Sequence, residues 1–289
     1  MKKIENENFP SERALYGADG LLLQNCTFAG EEDGESALKE ASRVELERCR
    51  MDLRYPLWHD RTVALRYCEM TENCRAALWY SEDVEIADST LGGIKALREC
   101  RDVRLKNTKI VSPEFGWRSR GIRAENCELE GEYPFLMAGE LTFDRFTLHG
   151  KYSFQYVENA VIENAVLDTK DAFWHTKNVT VRDSVIRGEY LAWYADGLTL
   201  ERCRIIGTQP LCYCTDLTLI DCEMQDTDLA FEYSDVTATV KGKILSVKNP
   251  RSGSITADSI GEILLTDDSR VECRCAITER SRAQITPAE

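Results

Sequence analysis

Apolar residues recur along this chain at alternate positions in short runs, and the runs themselves recur. The first run is a pair two residues apart: Val44/Leu46, Val63/Leu65, Val84/Ile86, Val103/Leu105, Ile122/Ala124, Leu141/Phe143, Ala160/Ile162, Val179/Val181, Leu198/Leu200 and Leu217/Leu219, continued by Val236 and Ile255. Alternation at period two marks a strand with one buried face. From Val84 to Ile255 the interval is 19 residues throughout. Two polar residues follow each pair, often ending in Asn or Asp (Asp88, Asn107, Asn126, Asn164, Asp183, Asp221); these types tolerate a left-handed conformation and predict a corner. A second alternating pair comes next (Cys49/Met51, Cys68/Met70, Cys127/Leu129, Cys203/Ile205, Cys222/Met224). Then comes a turn with Gly131, Gly150, Gly188 or Gly207, and a third apolar segment such as Ala172-Phe173-Trp174.

A repeat of this length is too short for the helical classes of about 33–34 residues and falls just under the leucine-rich repeat range, which stays as the structural alternative. The pattern predicts an all-β chain: a right-handed parallel β-helix, a solenoid of about 13 coils of about 19 residues with three short strands each, as one domain over 1–289. Each strand would pair with its counterpart one coil away, so like residues stack in columns. Open ends expose unpaired strand edges, so 1–20 and 271–289 are expected to cap coils spanning 21–270.

Composition narrows this picture. With 36 basic and 50 acidic residues the net charge is −14, which repels phosphate backbones and acidic membranes, so neither nucleic acid nor a membrane is an expected partner. No apolar run is long enough for a span, and Met1-Lys-Lys-Ile-Glu-Asn lacks the apolar core of an export signal, so the expected location is the cytoplasm. Twelve cysteines then read as reduced thiols, six of them (Cys26, Cys49, Cys68, Cys127, Cys203, Cys222) in one inward column. Cys212/Cys214 and Cys273/Cys275 lack the second pair or nearby histidine of a zinc site, and nothing in the sequence requires a cofactor. Oligomeric state is not legible.

All five tryptophans, Trp58, Trp79, Trp117, Trp174 and Trp193, lie five residues before the first-strand position of their coil and so share one column. The preceding column (Leu57, Leu78, Leu97, Phe135, Phe154, Phe173, Leu211) is consistently apolar and should face the core. Period-two alternation turns the Trp column outward, where indole faces could stack on sugar rings; a parity change at the turn would instead bury it. The next column holds His59, Tyr80, Arg118, Tyr156, His175, Tyr194, Tyr213 and Glu232. Another, ahead of the third segment, includes Asp171, Tyr190, Gln209 and Asp228, flanked by Lys170 and Glu189.

Four consecutive coils therefore gather one candidate site. Asp171 and Glu189, on adjacent coils, form a carboxylate pair suited to glycoside chemistry; Asp228 and Glu232 are further acid/base candidates; Lys170 and His175 are helpers. Trp58, Trp79, Tyr80, Trp117, Trp174, Tyr190, Trp193, Tyr194, Gln209 and Tyr213 are the candidate binding residues. Three readings stay open: a carbohydrate-binding or carbohydrate-active protein (lyase, hydrolase or epimerase on a short oligosaccharide), a non-catalytic binding or scaffold protein, or, with the tryptophans in the core, a rod that serves as an assembly element.

The segments Gly34–Glu40, Tyr55-Pro-Leu-Trp58, Arg75–Tyr80, Lys170–Trp174, Gly207–Cys214 and Phe231-Glu-Tyr-Ser234 resemble a bacterial family of unknown function over nearly the whole chain. That resemblance implies a pectin-lyase-like right-handed β-helix and no particular activity. The Asn-Thr-Asp, Asp-Asp, Gly-His-Gly and Arg-Ile-Lys signatures of the polygalacturonate hydrolases of that fold do not occur here as a set.

Overall fold

A computed structural model describes residues 1–30 and 35–280. Its regular elements are strands paired in parallel, making an all-β solenoid of about 14 turns. Among the described residues no helix is long and apolar enough to cross a membrane. The chain divides into two compact units, Met1–Gly150 and Lys151–Glu289.

In five coils of the first unit the opening strand is six residues long (Asp19–Gln24, Ser42–Glu47, Arg61–Arg66, Glu82–Ala87, Arg101–Lys106), and the predicted register holds. Val44, Val63, Val84, Val103 and Ile122 stand side by side, each fully or nearly fully buried. The corners are built as expected. Asp88, Asn107 and Asn126 have φ of 51°, 48° and 53°, and their side chains form a ladder, Asn107 Nδ2 donating to Asp88 Oδ1 at 2.9 Å and Asn126 Nδ2 to Asn107 Oδ1 at 2.8 Å. Some outward positions meet an opposite charge on the neighbouring strand, although Arg104 also stands beside Arg123. Arg104 bonds Glu85 and Asp83 on the preceding strand, at 2.8 Å in each ion pair, the favourable form of a cross-strand charge contact.

The second unit repeats the scheme through Glu158–Glu163, Lys177–Arg182, Asp196–Glu201 and Leu217–Gln225, with Ala160, Val179, Leu198 and Leu217 in the inward column. Gly188 and Gly207 occupy the turn after the second strand at φ of 149° and 133°. A Cβ would lie 2.2 Å from the Thr169 carbonyl oxygen at the first and 2.3 Å from the Gly188 oxygen at the second, so coil-to-coil contact here requires glycine.

Four expectations change. Residues 1–20 are not a separate cap: Lys2–Glu5 pairs with Leu21–Gln24, and Phe9 stacks on Phe28 at 5.1 Å, so this stretch is already a coil. At the other end Arg274–Glu279 pairs in register with Ser252–Ala257, while 281–289 of the expected cap lie outside the described residues. The 19-residue interval also ends before Ile255. Leu217 still pairs with Val236, but Val236 pairs with Gly253 and Ala238 with Ile255, so this coil is two residues shorter and Ile255 fills the second inward position.

The fourth change concerns the third side. Among the described residues it forms strands only at Leu78–Trp79 and Leu97–Arg98. Elsewhere alternate residues are left-handed: Asp171, Phe173 and His175 have φ of 51°, 59° and 56°, and Tyr190, Ala192 and Tyr194 have 56°, 58° and 61°. The backbone is still satisfied between coils, with Asp171 N donating to Glu189 O and His175 N to Trp193 O, while Phe173 N donates back to Ser153 O. Because this segment curls rather than pleats, exposure does not alternate. Ala172 and Phe173 are both buried, Trp174 is half-buried and His175 is exposed.

Candidate functional site

The apolar column faces inward as predicted: Leu57, Leu78, Leu97, Phe135, Phe154, Phe173 and Leu211 are all buried. The tryptophans are half-buried and neither of the two expectations describes them fully. They point away from the core, and each has a ring or cation of a neighbour over its indole.

In the first unit the covering groups are cations. Lys39 Nζ sits 4.0 Å from the Trp58 ring centre, Trp58 stacks on Trp79 at 5.6 Å, and the Arg98 guanidinium lies 4.8 Å over Trp79. Tyr80 also stacks against Trp79, at 5.2 Å. Lys95 lies 5.3 Å over Trp117, whose Nε1 donates to Tyr133 O at 2.7 Å. These four predicted binding residues are tied to neighbours in their own unit by ring and cation contacts.

In the second unit the covering groups are other aromatic rings. Trp174 and Trp193 stack at 5.3 Å with planes 3° apart; their Nε1 atoms donate to Tyr190 O and Gln209 O at 2.7 and 2.8 Å. Tyr190 meets Trp193 edge-on at 5.4 Å. Outside them runs a second stack: Tyr156 to His175 at 4.9 Å, His175 to Tyr194 at 4.9 Å, Tyr194 to Tyr213 at 4.8 Å, then Tyr213 to Tyr233 at 5.8 Å and tilted. These spacings equal the rise of one coil. Ring edges and polar atoms, not ring faces, are therefore what this side presents to solvent. Tyr156 and Tyr233 belong to this stack although neither was among the selected site residues.

The ionisable candidates separate. Asp171 is 8% exposed; burial holds its carboxyl above the ordinary aspartate range, opposed by Lys170, whose Nζ is 3.9 Å from Asp171 Oδ2, and reinforced by the charge of Glu189. Glu189 sits on the adjacent coil, as predicted, and is exposed. Asp228 and Glu232 are not in their predicted columns. An extra residue in the Asp226–Asp228 turn makes the left-handed positions Leu229, Phe231 and Tyr233, 20 residues after Gln209, Leu211 and Tyr213. Asp228 accordingly aligns with Glu189 and Thr208. Glu232 follows Trp193 and Cys212 in the Trp column, where Lys248 neutralises it at 2.9 Å. Tyr213, packed beside Glu232, has its hydroxyl pushed up to about 12, chiefly by burial. His175 is held between two tyrosine rings and meets no carboxylate of the set.

The six-cysteine column is buried as expected, and so are Cys74, Cys100, Cys212 and Cys214, with burial pushing the first of these to about 11 and the others to about 12. Two features escaped the sequence reading. A recess of about 470 Å³ lies on the first-strand face of the first unit among Arg66, Glu85, Arg104, Arg123 and Asp144. Asp60 is 0% exposed in a corner column otherwise filled by Ala41, Ser81, Cys100 and Ser119; its Oδ1 accepts from Ala41 N at 2.9 Å, its Oδ2 has no partner, and burial raises it to about 8. A lone carboxylate in a column of small residues was the available signal.

Comparison with known proteins gives one firm result and several faint likenesses. The A-module of the mannuronan C-5 epimerase AlgE4 of Azotobacter vinelandii is 10% identical, covering 82% of this chain and 89% of its own, at a TM-score of 0.37. PfbA, a surface adhesin of Streptococcus pneumoniae, is 10% identical over 92% of this chain and 73% of its own, at 0.33. The catalytic domain of a GH87 alpha-1,3-glucanase is 10% identical over 97% and 64%, at 0.30. Such low scores carry no site residue across. No curated protein matches. Residues 2–278, by contrast, match one family along almost the entire chain, and the protein therefore belongs to DUF3737, a family described as protein of unknown function.

Proposed function

We propose that the third side of the Lys151–Glu289 unit is a carbohydrate-binding face that holds a short oligosaccharide along the coil axis. The observation that carries this reading is the stack Tyr156–His175–Tyr194–Tyr213, its first three rings exposed and Tyr213 half-buried, with rings 4.8–4.9 Å apart. Each coil adds one ring edge and one hydrogen-bonding group, at a spacing close to the length of a pyranose. Aromatic edges carry the positive part of the ring quadrupole and phenol hydroxyls both donate and accept, so the face suits hydroxyl-rich ligands approached from the side rather than stacked on.

Asp171, with its raised affinity for a proton, is placed to act as an acid, and the exposed Glu189 on the next coil as a base; these are the two groups that lyase, hydrolase or epimerase chemistry would use. The separation of Asp228 and Glu232 from their predicted columns favours a second reading, a binding protein without turnover. Titration of tyrosine and tryptophan emission with oligosaccharides tests the binding face. Tyr194→Phe and Tyr213→Phe should weaken binding by about fivefold each through loss of hydroxyl bonds, and unchanged affinity in both would exclude the edge-on mode. Product formation abolished by Asp171→Asn with binding retained would select the enzymatic reading.

A further inference from the structure

Two carboxylates, each five residues ahead of a ring of the aromatic stack, narrow the ligand class, on the assumption that the face binds carbohydrate. Backbone bonds place Lys170, Glu189, Thr208 and Asp228 in one column, through Asp171 N to Glu189 O, Tyr190 N to Thr208 O and Gln209 N to Asp228 O. Asp171 and Glu232 sit against Lys170 and Lys248, whereas Glu189 and Asp228 have no ion-pair partner among the described residues. They are two coils apart, about 9.6 Å at the usual strand spacing. Next to them Asp171, 8% exposed, makes no hydrogen bond through its carboxylate; its nearest cation is Lys170, at 3.9 Å.

An equatorially 1,4-linked pyranose chain is a flat ribbon with a two-fold screw, so substituents of every second sugar fall on the same edge. Along a solenoid with one sugar per coil, that period is two coils, the separation of Glu189 and Asp228. We infer that this face selects β-1,4-linked amino sugars bearing free ammonium groups. Two such groups would pair with Glu189 and Asp228, while the intervening sugar meets the Thr208 position. Lys170 bounds the site at the other end of the column. Uronates, carrying the opposite charge, would be repelled by the same carboxylates.

The test is calorimetric titration of the full chain with hexamers of β-1,4-glucosamine, its N-acetylated form, cellohexaose and a uronate, at a pH that keeps the amines protonated. The glucosamine hexamer should bind about tenfold tighter than cellohexaose, and added salt should erase most of that difference. Glu189→Gln and Asp228→Asn, at exposed and half-exposed positions, should each reduce the ratio of glucosamine-hexamer to cellohexaose affinity about threefold to fivefold. Equal affinity for the glucosamine hexamer and cellohexaose, or preference for the N-acetylated hexamer or the uronate, overturns the inference and leaves the carbohydrate reading standing. Failure of all four to bind overturns both.

Discussion

The two units use the same column of the repeat in opposite ways. In Met1–Gly150 the tryptophans lie between cations, Lys39 on Trp58 and Arg98 on Trp79, so the indoles are clamped and the side is closed. In Lys151–Glu289 the neighbours are aromatic, Trp174 on Trp193, and a second stack from Tyr156 to Tyr213 stands outside them. A solenoid makes the residue one coil away the decisive neighbour. Whether a tryptophan is a structural tie or the backing of a binding face is thus set by what stands 19 positions before and after it.

The largest effect expected to separate the units comes from Asp60, for which the second unit has no counterpart: Thr176, Ala195 and Cys214 fill that column there. Its folded pKa of about 8 lies above that of an unfolded aspartate, so its stabilising contribution is complete below about pH 4 and is lost as pH rises through 8. The difference is on the order of 5 kcal/mol. Urea unfolding in a Trp174→Phe/Trp193→Phe background, where all reporters lie in the first unit, should show stability falling across that window. Asp60→Ser keeps an acceptor for the Ala41 amide and should flatten the curve; an unchanged slope would remove Asp60 from the account. Next in size, Trp79→Ala should cost about 3 kcal/mol through lost stacking on Trp58, Tyr80 and Arg98. It should leave glycan affinity untouched, and a loss of affinity would show that the closed side binds too.

These contrasts also mark how far the chain could be read before its structure was known. Strand register and corners were legible because Val84 to Leu217 repeats without a break and because Asn or Asp stands where φ must be positive. The column of Leu57, Phe154 and Phe173 was legible for the same reason. The tryptophan environment was not, because parity arguments assume a pleated strand, and alternate left-handed residues at Asp171, Phe173 and His175 break that assumption. Asp228 and Glu232 were misplaced because a one-residue insertion after Gln225 leaves no mark in the apolar pattern and is absorbed before Val236. The cations over Trp58 and Trp79 were overlooked since Lys39 and Arg98 read as ordinary solvated side chains.

A finer test of the clamp is Arg98→Met, which keeps the aliphatic stem over Trp79 and removes the charge. Cation–π contacts at partly exposed sites contribute about 1 kcal/mol. A loss of that size in urea unfolding supports the cationic clamp. No loss would mean that Arg98 packs on Trp79 only through its methylenes, and the first unit would then resemble the second more closely than its charges suggest.

The smallest stability effect is expected at His175, and it is the most informative about the open side. Both imidazole faces are covered, by Tyr156 and Tyr194 at 4.9 Å, yet the residue is exposed at its edge. Replacing it with Gln keeps a planar hydrogen-bonding group and removes the ring, which should cost under about 1 kcal/mol, since stacking at an exposed position adds little to folding. If the stack exists to present a continuous row of edges, His175→Gln should interrupt the row at its centre and weaken oligosaccharide binding more than it weakens the fold. A variant whose stability falls by several kcal/mol while affinity holds would reverse that assignment, making the outer stack a structural tie of the same kind as the cation clamp.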